Sequence, residues 1–151
     1  MSNTKPSGTK VDLTWFWMQC ERLPMSKWNT LRALCPKLYK NGLAFECAIG
    51  WYDILHELSL KIERILEKDA EKYKAIEGEE NEYIEMFAVQ VKEKYGTLRF
   101  YMSCETDEIS DLIHEAEAVS SQTYEVCGAP GKMRGKTWFS VRCDNCYEEK
   151  A

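Results

Sequence analysis

Apolar residues recur along this chain in two rhythms, and each rhythm predicts an element. From Asp12, the residues Leu13, Phe16, Trp17, Cys20 and Leu23 fall at helical spacing, and Pro24 is expected to end the run. A second, short helix is predicted from about Ser26, with Trp28, Leu31, Leu34 and Cys35 on one face ahead of Pro36. Asn41-Gly42 marks a turn. The longest stripe comes next: Trp51, Ile54, Leu55, Leu58, Ile62, Ile65 and Leu66, with Lys and Glu on the opposite face. EGEENE, residues 77–82, reads as an acidic surface loop.

Past that loop the period shortens to two. Phe87, Val89 and Val91 fit a strand facing the core, although Ile84, Phe87, Ala88 and Val91 also fit a helix. The return run decides for strand, because Leu98, Phe100 and Met102 alternate just beyond Gly96. Residues 84–103 are therefore predicted as a hairpin, with Gly96 supplying the positive φ of a tight turn. Thr106 then caps a helix with Asp107 and Glu108 in its first turn, where negative charge meets the helix dipole. Its buried stripe is Ile109, Leu112, Ile113, Ala116 and Val119. A short aromatic strand follows around Trp138 to Val141.

These elements add up to an α+β fold: helices packed on a small antiparallel sheet, with a C-terminal ribbon-like module. The expected division is a flexible tail over 1–10, a helical and β-hairpin core over 11–123, and a zinc-ribbon-like module over 124–151 packed on that core. The chain of 151 residues, 44% hydrophobic and 30% charged, is long enough to bury a core without disulfides or metal. A net charge of −5 argues against a general nucleic-acid coat. The polar start MSNTKPSGTK is not a signal peptide, and the apolar runs fall short of a membrane span. A reducing cytoplasm is the expected compartment, with Cys20, Cys35 and Cys47 packing as small apolar groups.

The remaining cysteines carry candidate chemistry. In TYEVCGAPGKMRGKTWFSVRCDNC, Cys143 and Cys146 form a C-x2-C pair, and Cys127 precedes a glycine as in a ribbon turn. The fourth ligand of a four-cysteine site belongs at Tyr124. Cys127, Cys143 and Cys146 are thus candidate zinc ligands, with Glu125, Asp144, a water or a group from another chain as the fourth donor. His114 cannot serve, because it lies ten residues before Tyr124 in the predicted helix, about 15 Å along the axis. The alternative is a metal-free module in which the Tyr124 ring packs in the metal's place.

VQVKEKYGTLRFYMS, the acidic helix after it, and SSQTYEVCGAPG…W…VRCDNC together resemble a family of small phage and prophage proteins. FECAIGWYDILHELSLKIE looks like that family's glycine-tryptophan helix start, and the resemblance covers residues 35–147. Such proteins read T-C-E-x-C-G in the ribbon, so Cys127, Cys143 and Cys146 match ligand positions and Tyr124 departs. The resemblance implies a phage accessory protein in a bacterial host cytoplasm and brings no activity with it.

Two surfaces are candidate binding sites. On the outer face of the hairpin, Lys92, Lys94, Arg99 and Tyr101 place bases beside an aromatic ring, as a nucleic-acid site requires. Lys132, Arg134, Lys136 and Arg142 add positive charge in the ribbon, and the plainer reading is a solvated sheet face. Residues 105–117 carry six acids and no Lys or Arg; Asp107, Asp111, Glu115 and Glu117 avoid the apolar stripe and are expected in solvent. The nine acids over 63–85 face four bases and read as an ordinary exposed helix face. The preferred expectation is a non-catalytic accessory protein that binds a host macromolecule, a defence or nucleic-acid enzyme being one target class. The alternatives are a nucleic-acid-binding module and, more remotely, a zinc hydrolase using Glu125 as base.

Overall fold

A computed structural model describes residues 24–74 and 84–148. The predicted helix over 12–23, the tail and the acidic loop at 77–82 lie outside the described residues. Pro24 is the first residue of helix α1 (Pro24–Leu34). A proline fits a helix start, where its missing N–H would have no partner. Trp28, Leu31 and Cys35 are buried, whereas Leu34 is 48% exposed. Six residues past Trp28, Leu34 is rotated about 120° away from it around the helix axis, which takes it off the face.

The chain turns at Gly42 (φ +61°), whose N–H donates to Tyr39 O at 2.9 Å. One 3-10 turn, Ile49–Trp51, then leads into α2 (Tyr52–Lys74). Trp51, Leu55, Leu58, Ile62 and Leu66 are buried as the stripe predicts. Ser59 and Glu63 are buried with them, so the acidic run does not begin as a solvated face. The Glu63 carboxylate accepts the N–H groups of Lys37 at 3.0 Å and Leu38 at 2.8 Å. Ser59 Oγ lies 2.6 Å from Tyr39 Oη. Both polar side chains peg the turn after α1 onto α2, because a buried carboxylate or hydroxyl must find partners.

Strands β1 (Phe45–Glu46), β2 (Ala88–Lys94) and β3 (Thr97–Met102) form a sheet in that order. The hairpin β2–β3 is antiparallel as predicted, but β1 joins β2 in parallel, Phe45 opposite Val91, so the sheet is mixed. A bulge between Ala88 and Gln90 shifts the alternation upstream. Ala88 and Val91 point inward, Val89 is 54% exposed, and of the expected inward trio only Val91 is fully buried. Phe87 is half-buried under Lys40, whose Nζ lies 4.4 Å from the ring centroid. On the return strand Leu98 and Phe100 are buried as expected.

Thr106 Oγ1 accepts from Ile109 N at 3.3 Å and caps α3 (Asp107–Ser120), which buries Ile109, Ile113 and Ala116. This helix also covers the free edge of β3. Ser120 Oγ accepts from Leu98 N at 2.9 Å, and Glu117 Oε1 accepts from Phe100 N at 3.3 Å. The described residues end in a second hairpin, β4 (Lys132–Arg134) with β5 (Ser140–Arg142), and a short helix α4 (Asp144–Glu148). No described helix is long and apolar enough to cross a membrane.

Candidate metal centre and binding surfaces

The first cysteine sits on a turn closed by the backbone around it. Tyr124 N–H donates to Ala129 O at 2.9 Å, and Gly128 N–H donates to Tyr124 O at 2.8 Å. Gly128, at φ +75°, makes the bend that leaves Cys127 exposed at its crest. Cys143 follows β5, and Cys146 lies in the first turn of α4, where Tyr147 N–H donates to Cys143 O at 3.1 Å. The second pair is thus carried by the tight first turn of a short helix.

The three sulfurs lie within 4.8 Å of one another, with Cys127 Sγ 3.6 Å from Cys143 Sγ. Thiolates about 2.3 Å from a tetrahedral zinc stand about 3.8 Å apart, so the triad has the size of one zinc face. Cys146 N–H donates to Cys143 Sγ at 3.4 Å, and this bond holds the Cys143 thiol below the usual cysteine range. The interaction of its thiol with Cys143 pushes Cys146 up to about 11. The donor set of three thiols fits a metal ion, and Cys127, Cys143 and Cys146 are the residues that can hold it.

The acids expected as fourth donors are engaged elsewhere. Glu125 Oε2 accepts from Ala48 N at 3.1 Å, and burial pushes its carboxyl upward. Asp144 pairs with Arg134, whose guanidinium also lies 4.3 Å from the Tyr147 ring centroid. Tyr124 is buried, with 8% of its surface exposed. A cleft of about 450 Å³, lined by Lys27, Tyr52, Asp53, Thr123, Val126 and Cys127 among others, gives solvent access beside the first sulfur.

The cysteine turn is seated on the start of α2. Trp51 Nε1 donates to Thr123 O at 2.9 Å, and the backbones of residues 50 and 125–128 pass so close that only glycine fits at 50. A Cβ on Gly50 would stand 2.3 Å from Glu125 O and 2.6 Å from Gly128 N. Cys35 and Cys47 lie apart from this centre, and burial pushes both thiols up to about 12, as suits packing groups.

On the hairpin, the candidate residues fall on paired positions. Lys92 lies opposite Arg99, Gln90 lies opposite Tyr101, and Lys92 Nζ is 6.0 Å from the Tyr101 ring centroid. Lys94 leans instead over Tyr95, 5.5 Å from its centroid. On α3, Asp107, Asp111 and Glu115 are exposed, but Glu117 is half-buried and engaged with Phe100 N. Glu117 is therefore removed from the solvent-facing set. Its carboxylate is held by a strand-edge donor that no helical periodicity reveals. Glu115 also shares a shallow groove with Glu57 and Lys61 between α2 and α3.

Sequence reasoning missed the exposed aromatic residues. Tyr95 is 72% exposed and Trp138 78% exposed, with Phe139 beside it at 51%. The aromatic strand expected around Trp138 to Val141 begins only at Ser140, so Trp138 and Phe139 fall in the loop before it. Comparison with family models, curated proteins and solved structures gives no match to this chain.

Proposed function

We propose that the chain is a non-catalytic accessory protein, of the phage and prophage kind it resembles, which binds a host macromolecule. In this reading a zinc ion on Cys127, Cys143 and Cys146 fixes the C-terminal module in its working shape. The observation that carries the structural role of the metal is the triad itself: three thiols of the right separation, with Glu125 and Asp144 both committed to other partners. Zinc bound there would supply folding energy. The acidic docking surface is the exposed side of α3, where Asp107, Asp111 and Glu115 stand with no base over 105–117.

Such a face suits a basic patch on a host protein, and charges of this sort act mainly on association rate and its salt dependence. The test is recovery of a host partner by affinity capture, followed by its binding to Asp111→Lys/Glu115→Lys at two salt concentrations. Association should slow and lose salt dependence, while folding stability changes little because the charges are exposed. Wild-type binding at low salt would remove the acidic face from the mechanism. A second reading, nucleic-acid binding, is favoured by the pairing of Lys92 with Arg99 across the hairpin beside Tyr101.

A further inference from the structure

The turn of the β2–β3 hairpin packs against the paired strands of the β4–β5 hairpin. A Cβ on Gly96 would lie 3.1 Å from Ser140 Cα and from Val141 N, and 3.2 Å from Met133 Cε. The β2–β3 turn is therefore pressed against the start of β5, and the contact lies one residue from Tyr95 on one side and one residue from Phe139 on the other.

The surface around this contact is unusual in three respects. Trp138 and Phe139 stand out from a five-residue loop, 78% and 51% exposed. Gly135, at φ +123°, draws that loop tight: a Cβ there would fall 2.0 Å from Trp138 O. The loop thus holds its aromatic residues on a closed backbone. Tyr95 adds a third ring, 72% exposed, at φ +53°. A bulky residue is costly in the left-handed region, where asparagine or glycine sits with less strain. Strain retained to present a solvent-facing ring points to use of that ring.

The charge around these rings runs against the charge of the whole. The chain carries a net −5, yet residues 126–142 contain four bases and no acid. Lys132 and Lys136 are exposed on the loop and its strand, and Lys94 lies over Tyr95. Glu93, the acid beside the β2–β3 turn, accepts the Gly96 N–H at 2.5 Å. Exposed rings flanked by lysines match the chemistry of a single strand: bases for the ring faces and phosphates for the ammonium groups. A duplex keeps its base faces stacked and offers no ring face to them.

We infer that the surface around this contact binds single-stranded nucleic acid, with Tyr95, Trp138 and Phe139 stacking bases and Lys94, Lys132 and Lys136 holding phosphates. The inference rests on the nucleic-acid reading above but moves its centre from the Lys92–Arg99 face to this contact. It needs no sequence preference, since every base has a π-face.

The experiment is fluorescence anisotropy of the zinc-loaded full chain with a labelled pyrimidine-rich single strand, a matching RNA and the corresponding duplex, over a salt series. Wild type should prefer the single strands. Its log affinity should fall with log salt at a slope near about −2, as for about three phosphates. Trp138→Ala and Phe139→Ala should each weaken binding about ten-fold. Tyr95→Asn should raise the melting temperature while weakening binding, a combination that a purely structural tyrosine would not give. Lys92→Glu/Arg99→Glu separates the two readings. If it abolishes binding and the aromatic variants do not, the aromatic surface is overturned and the hairpin face stands. No binding by wild type at low salt overturns both, and duplex preference overturns the single strand. Self-association that Trp138→Ala abolishes, with no oligonucleotide bound, would assign the surface to a second copy.

Discussion

By sequence spacing Tyr124 takes the position of a fourth cysteine, and its backbone closes the turn around Cys127 through Gly128 N and Ala129 O. Tyr124→Cys should leave those two bonds in place and raise zinc retention, measured as metal per chain after dialysis against a weak chelator. Unchanged zinc content would mean that position 124 does not face the three sulfurs. The cysteine cluster was legible because cysteine spacing is itself chemical information. Glu63 was not, although it falls in phase with the buried side of α2. Hydrophobic patterning scores a carboxylate as surface, and the two N–H donors that hold Glu63 come from a turn 25 and 26 residues earlier in the chain. Leaving such buried donors unpaired costs about 1–3 kcal/mol each, which is why a carboxylate is tolerated there.

Among elements, the β2–β3 turn carries the sharpest constraint. Gly96 has φ +81° and lies against the backbone of Ser140 and Val141. Gly96→Val should cost about 2–4 kcal/mol in urea unfolding, since a β-branched residue resists that φ and its Cβ must displace backbone atoms. Wild-type stability would mean that the turn does not pack on β5. The hairpin and the capped α3 could be read from the chain because their signals are local: Gly96 between two alternating runs, and Thr106 ahead of two acids. The bulge at Ala88–Gln90 and the parallel strand β1 could not. A bulge is one residue out of phase, and a two-residue strand has too little alternation to announce itself. The same limit hid Glu117, whose partner Phe100 N belongs to another element.

For the molecule as a whole, the cysteine module and the core meet through named bonds: Trp51 Nε1 to Thr123 O, and Ala48 N to Glu125. The core cluster itself is built from α1, α2, the three-stranded sheet and α3, without the cysteines of the triad. Removing bound zinc with a strong chelator should therefore expose amides over 124–147 to hydrogen exchange while those of α2 and β2–β3 stay protected. The Trp51 indole N–H should report the loss as a shifted NMR signal. Loss of protection throughout would make the two parts one cooperative unit. The covering of β3 by α3 has a different consequence, for assembly. With Leu98 N–H bound to Ser120 and Phe100 N–H bound to Glu117, this side of the sheet has no free donors at those positions to template another strand. Strand-by-strand stacking of copies is blocked there, and so is a partner that docks by extending the sheet. Ser120→Ala with Glu117→Ala would bare those donors and turn a closed edge into an adhesive one.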